Sequence, residues 1–181
     1  AAALIAVSTD TINIMENEIA LTTEAMFKEP MALGDIFAQS GMFPDIKTKA
    51  QAAVKILAGK ELGLSPFESM ASIYIVNSKL ALTSKAMASL VKKSKKYDYE
   101  VKVLDEKTCT LIFTERGSED QNMPLGESTF TFADAAKAGL VNKDVWKNYP
   151  RNLLFARAMS NGVKWFCPSV ICGYYSTEEL Q

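Results

Sequence analysis

The residues of this chain best placed to do chemistry lie between Trp146 and Phe166, where bases and amides recur at helical spacing behind a proline. At about 100° per residue, Arg157, Ser160, Asn161 and Lys164 share one side. Leu154, Phe155, Ala158, Met159, Gly162, Trp165 and Phe166 share the other, and Leu153 is the apolar intruder on the polar side. The pattern predicts a helix starting at Pro150 whose apolar face, Trp165 included, docks on a core while its cationic stripe holds an anion. Pro150 suits the first helical position. The unpaired amides of that turn add partial positive charge beside Arg151, so side chain and backbone can meet a phosphate together. Lys147 and Asn152 flank this turn. A solvated helix face is the competing explanation, because Arg and Lys line many helices without a ligand.

Other chemistry is largely excluded. The chain has no histidine, which removes the commonest general base near neutral pH, the usual Ser/His and Cys/His pairs and most zinc or iron sites. Cys109, Cys167 and Cys172 are odd in number and lack paired close spacing, so neither a disulfide framework nor a metal knot is expected, and they read as small hydrophobes in a reducing cytoplasm. Gly59-Lys60-Glu61 lacks the upstream glycine and the hydroxyl of a phosphate-binding loop. The close acid pairs Asp105/Glu106 and Glu119/Asp120 fall in expected turns and read as solvated, which disfavours a metal-dependent nuclease. No catalytic or metal-ligating residue is expected.

Charge is segregated. Net charge is −1 over 181 residues, yet up to Asp45 there are seven acids and one base, leaving 19 bases against 14 acids beyond it, a balance of +5. An acidic leading region thus precedes a mildly basic body. Hydrophobic residues make up 48%, enough to bury one core. The opening Ala1 to Val7 is apolar but short and has no basic leader, so neither a signal peptide nor a membrane span is expected.

The elements that must position the basic residues follow from spacing and caps. Residues 1–30 read as an arm without clear apolar period, docking on a neighbouring copy, and residues 31–181 as the core domain. A helix is expected from Pro30 to Ser40, closed by Gly41. A second runs from Thr48 to Leu62 with Ala50, Ala53, Val54, Leu57, Ala58 and Leu62 inward and Lys47, Lys49, Lys55 and Lys60 outward. Ser65-Pro66-Phe67-Glu68 is a capping box. Ile73 to Leu82 reads as a hairpin with Lys79 near its tip. A helix capped by Thr83 or Ser84 runs to about Ser94 with Lys85, Lys92, Lys93, Lys95 and Lys96 outward or at its end, and the helix dipole alone would favour the cations at that end. Tyr97–Leu104 and Thr108–Glu115 form a second hairpin. Gly117 to Gly126 reads as a polar loop, Thr131 and Asn142 as helix starts, and Tyr174 to Leu180 as the beginning of a helix. The class is α+β: one domain with two β-hairpins packed against several helices.

Aromatic residues lie among or beside the bases: Tyr97, Tyr99, Trp146, Tyr149, Trp165, Tyr174 and Tyr175, of which Trp165, on the apolar helix face, reads as core. Aromatic planes beside cations are what single-stranded nucleic acid uses for base stacking with phosphate neutralisation.

The order of these pieces resembles the phage RecT/Bet family of single-strand annealing proteins over about Ala32 to Leu180. The residues that carry the likeness are Leu57-Ala58-Gly59-Lys60-Glu61-Leu62-Gly63-Leu64-Ser65-Pro66 and Ile73-Tyr74-Ile75-Val76-Asn77-Ser78-Lys79. A helix ending at Lys96-Tyr97 and Cys109 in a strand follow. Most specific is Trp146-Lys147-Asn148-Tyr149-Pro150-Arg151-Asn152-Leu153-Leu154-Phe155-Ala156-Arg157-Ala158 with the closing Gly173-Tyr174-Tyr175-Ser176-Thr177-Glu178-Glu179-Leu180. The resemblance implies ATP-independent binding of single-stranded DNA, annealing of complementary strands in recombination, and the annealed duplex DNA as a further partner. It further implies rings or helical filaments, a phage exonuclease and a host single-strand-binding protein as partners, and a prophage- or phage-encoded protein in the cytoplasm of a bacterial host. Arg151, Arg157 and Lys164 match the family's basic positions. Ser78-Lys79 stands where relatives often show Gly-Lys, and Asn152 where a second base often follows. Lys79, Lys92, Lys96, Lys147, Asn152 and Asn161 complete the expected DNA-binding set. No cofactor is expected beyond magnesium accompanying the DNA, and the family's C-terminal partner-binding region is expected to be absent. The readings from other classes are a filament-forming scaffold that binds no DNA, and a metal-dependent nuclease.

Overall fold

Four hydroxyl side chains start helices here. Thr48, Ser65, Thr83 and Thr131 each accept from the amide three residues on, at Gln51, Glu68, Ala86 and Asp134, which satisfies a first-turn donor at about 1 kcal/mol each. The computed structural model describes residues 9–117 and 122–180, with side chains from residue 24. Its helices are α1 (Thr9–Ser40), α2 (Lys49–Glu61), α3 (Pro66–Ser72), α4 (Ser84–Lys93), α5 (Phe132–Lys137), α6 (Asp144–Asn148), α7 (Pro150–Phe166) and α8 (Thr177–Leu180). Its strands are β1 (Ile73–Val76), β2 (Lys79–Leu82), β3 (Tyr97–Leu104), β4 (Thr108–Arg116), β5 (Asn122–Thr131) and β6 (Tyr175–Ser176). They form a single α+β domain with two small sheets, ordered β1-β2-β6 and β3-β4-β5.

The larger sheet is antiparallel, and its central strand β4 carries the buried Cys109, Leu111 and Phe113. Helix α7 lies across β4 and β5, and α4 packs on α7 and β3. Met87, Leu90 and Val91 of α4 thus meet Leu154, Met159 and Val163 of α7 in the main core. The approach of α7 to the sheet depends on Gly162, where a β-carbon would stand 2.1 Å from the Phe113 ring and 2.9 Å from the Ser128 β-carbon. Ser128 also donates to the Ala158 carbonyl at 2.7 Å, tying the edge strand to the helix.

Strand β5 occupies much of the stretch read as a polar loop. Pro124 and Gly126 mask its period, and an edge strand tolerates both. A bulge between Phe113 and Thr114 of β4 shifts the pairing from Gly126 to Pro124 and leaves Leu125 without a partner in the register. Residues 118–121 of the expected loop lie outside the described residues. The closing segment also departs from expectation, since Tyr175 and Ser176 pair in parallel with Ala81 and Leu82 before α8 begins. Gly173 at φ 79° marks the break ahead of them.

The leading region is corrected too. Residues 9–29, expected as an irregular arm, belong to α1, which runs through Pro30 instead of starting there. A proline costs about 3 kcal/mol in a helix interior. The helix continues because Leu33, Phe37 and Ala38 beyond it pack with Ile46, Ala52, Ile56 and Met70 in a second cluster. Glu24 to Glu29 are all exposed, and residues 1–8 lie outside the described residues. In α2 the buried face is rotated from the expected stripe: Ala52, Ala53, Lys55, Ile56, Ala58 and Gly59 face inward, while Val54 is 48% exposed. Lys55, expected on the surface, is fully buried and bonds Asp45 at 3.0 Å, with its ammonium 5.4 Å from the Tyr74 ring centre. Burial drives its pKa down against the pull of Asp45.

Candidate nucleic-acid interface

Helix α7 positions five of the nine expected DNA contacts or their immediate surroundings, so its burial decides what they can do. Tyr149 precedes it without a side-chain cap and Pro150 takes its first position, which leaves first-turn amides without that cap. Arg151 and Asn152 are exposed beside them, in a cleft of about 160 Å³ lined also by Glu106, Asn148 and Tyr149. Two acids of the β3–β4 turn therefore stand at this end. Asp105 is held below its ordinary pKa mainly by the amides of Lys107 and Thr108, with a small contribution from Arg151. An incoming phosphate would share the turn with these carboxylates. Lys147, one helix earlier, pairs with Asp144 at 3.2 Å.

Further along α7, sheet and α4 cover most of the circumference. Leu154, Ala156, Ala158, Met159, Ser160, Gly162 and Val163 are buried. The sector left open holds Leu153, Arg157, Asn161, Lys164 and Trp165, spaced i, i+4, i+8, i+11 and i+12. Two expectations change. Ser160 leaves the cationic stripe, being 2% exposed and donating to the Arg157 carbonyl at 3.2 Å. Trp165, expected in the core, is 60% exposed. The physical reason is that α7 is packed on two sides, by the sheet and by α4, so its covered sector widens toward Ala156, Ser160 and Val163 and turns away from Trp165.

Arg157 makes no ion pair with any described residue, whereas Lys164 is engaged. Its ammonium pairs with the Glu179 carboxylate and lies 3.4 Å from the Ser176 hydroxyl. Glu179 also accepts from the Ser176 amide at 2.9 Å. Burial alone would raise its pKa, but the Lys164 and Ser176 bonds outweigh that and hold it below the ordinary range. Lys79 sits at the tip of the β1–β2 hairpin with its ammonium 4.6 Å from the centre of the Tyr175 ring. The hairpin's Asn77 donates to the Leu180 carbonyl at 3.4 Å. The terminal segment therefore bridges two expected DNA contacts, touching Lys79 through Tyr175 and Lys164 through Glu179.

The α4 cluster lies on a neighbouring helix. Lys92 pairs with Asp98, donates to the Tyr99 carbonyl at 2.8 Å and rests 4.7 Å from the Tyr99 ring centre. Lys96 lies 3.5 Å from Glu115 and 5.1 Å from the Tyr97 ring centre. It lines a cleft of about 420 Å³ with Lys93, Ser94, Tyr97 and Ser169.

The expected residues thus form three groups: Lys147, Arg151 and Asn152 at the start of α7; Arg157, Asn161 and Lys164 on its open strip, linked to Lys79 by the terminal segment; and Lys92 with Lys96 at the end of α4. Arg151 and Lys164 stand about 20 Å apart along the helix axis at 1.5 Å per residue. Lys92, Lys96, Lys147 and Lys164 already face a carboxylate of this chain. Exposed pairs of this kind contribute at most about 1 kcal/mol, so a phosphate can displace them at Lys92, Lys96 and Lys147. Glu179 is the neighbour of the strip that the sequence did not single out, and Trp165, read there as core, joins the strip one turn beyond Asn161. Among the described residues, no three His, Cys, Asp or Glu side chains are grouped to hold a metal ion, and no helix is long and apolar enough to cross a membrane. Set against known proteins, the chain matches no family model, no curated protein and no solved structure.

Proposed function

We propose that this protein binds single-stranded DNA along the open strip of α7 and anneals complementary strands without nucleotide hydrolysis. The observation that carries the reading is that Arg157, Asn161 and Lys164 share the one sector of α7 left uncovered by sheet and α4. The resemblance to the RecT/Bet annealing family supports it. Cations held in a row neutralise the phosphates of one strand, and base edges stay free for Watson-Crick pairing, which supplies the driving force. With a body excess of only +5, affinity per copy is modest and assembly into rings or filaments provides avidity. In this reading the protein works in a bacterial cytoplasm beside a phage exonuclease and a host single-strand-binding protein, and magnesium acts through the DNA.

A labelled oligonucleotide tests it by fluorescence anisotropy. Binding should weaken steeply between 50 and 200 mM salt, and annealing should proceed without nucleotide. Arg157→Ala with Lys164→Ala should lose annealing with a circular dichroism spectrum like the parent's. Absence of strand binding at low salt, or undiminished annealing by the double variant, overturns the proposal. A second reading has its own observation: four of the seven basic residues in the expected set are already satisfied by the chain's own acids, which suits a protein-interaction scaffold. Self-assembly by light scattering together with no DNA binding at any salt would favour it, and magnesium-dependent cleavage would favour a nuclease.

A further inference from the structure

The two tryptophans divide sharply in environment: Trp146 is 4% exposed and Trp165 60%. Trp165 meets Phe166 in an edge-to-face contact, ring centres 6.2 Å apart and planes at 89°. It continues the open strip of α7, one turn past Asn161 and about 12 Å beyond Arg157 along the axis. The surrounding chain is also charged in one sense. From Val145 to Thr177 there are four bases and no acid, so the nearest carboxylates in sequence on the far side are Glu178 and Glu179, the latter held by Lys164. A large exposed aromatic surface on the same open strip as a guanidinium that makes no ion pair with a described residue is complementary to a ligand with flat apolar and anionic parts in alternation.

We infer that Trp165 is a stacking platform for an unpaired nucleobase, with Arg157 and Asn161 taking the phosphates that precede or follow it. The inference rests on the single-strand reading above and adds its mode of recognition. An indole stacks on any base, so it confers no sequence preference. In a duplex the base faces are already occupied by their neighbours, so the platform distinguishes single strand from duplex, and a strand that has found its complement loses this contact.

Intrinsic fluorescence of the whole protein tests this, with Trp165→Phe, which retains Trp146 alone, as the reference that isolates the emission of Trp165. Titration with an oligo-dT strand should quench the emission, and an abasic strand of equal length should bind without quenching. Trp165→Ala should weaken oligo-dT binding about tenfold and leave the abasic strand unaffected, while Trp165→Phe should retain part of the gain. Strand binding by anisotropy with unchanged emission, or equal oligo-dT affinity in Trp165→Ala, overturns the platform and leaves DNA binding intact. No binding of either strand overturns both. Emission that shifts with protein concentration alone, together with self-association lost in Trp165→Ala by sedimentation, assigns the indole to a contact between copies and overturns the platform.

Discussion

Removing the indole of Trp146 and removing that of Trp165 have opposite expected costs. Trp146→Ala vacates a buried site in the main core and should destabilise by about 3 to 5 kcal/mol, whereas Trp165→Ala should stay within about 0.5 kcal/mol of the parent. Urea unfolding of both variants checks the pair, and a large loss in the second would restore the core role that helical spacing predicts. Gly162 carries a similar test, since Gly162→Ala drives a β-carbon into the Phe113 ring and should cost about 1 to 3 kcal/mol despite the better helix propensity of alanine. Lys55 shows how far a single residue can escape sequence reasoning. Its long stem suits the packed face of α2, and its ammonium is offset by Asp45 and two aromatic rings. Nothing in the spacing of the lysines separates it from Lys47, Lys49 and Lys60.

At the level of elements, caps and turns were the most legible part of the chain, except that α6 starts at Asp144 behind Lys143, which makes no side-chain cap bond, and not at Asn142. The α3 start is a capping box whose Glu68 carboxyl is held down to about 2 from an ordinary 4.5, first by the Ser65 amide and then by Lys93. A depressed folded pKa gives stability that is whole above pH 4.5 and is lost as pH falls toward 2. Thermal midpoints of the parent and Glu68→Gln should therefore converge across that window and differ above it. In the β1–β2 hairpin the two turn residues both have positive φ, Asn77 at 50° and Ser78 at 61°, the type I′ geometry that favours Asn-Gly. Ser78→Gly should stabilise the protein by about 1 kcal/mol, measured by thermal unfolding. A loss would mean that the serine hydroxyl has a partner that outweighs backbone strain. Strand β5 was hidden for a complementary reason: its sequence has little alternation because only Ser128 on it is buried, and β4 supplies the apolar surface.

For the whole molecule, charge is the quantity that decides. Within the expected set, three cations, Lys79, Arg151 and Arg157, make no ion pair with a described residue, and four do. Single-strand binding that uses only the three should show a slope of log affinity against log salt of about −2, and one near −5 would mean that all seven have turned to phosphate. Titrating salt against oligonucleotide affinity distinguishes the two, and a flat response contradicts the reading. Two of the three groups share α7, and the third, Lys92 with Lys96, stands at the end of α4, which packs on α7.

Composition, caps and apolar period determined by themselves that this chain makes one α+β domain, where its hairpins turn, and that its bases and amides gather on the Pro150 helix. These are local properties, set within a turn or a strand by backbone geometry and side-chain reach. Only the tertiary structure decided which side of α7 stays open, that Ser160 and Lys55 go in while Trp165 comes out, and that Glu179 meets Lys164. Burial is a sum over all neighbours, and a helix packed on two sides has a wider covered sector than its own sequence can specify.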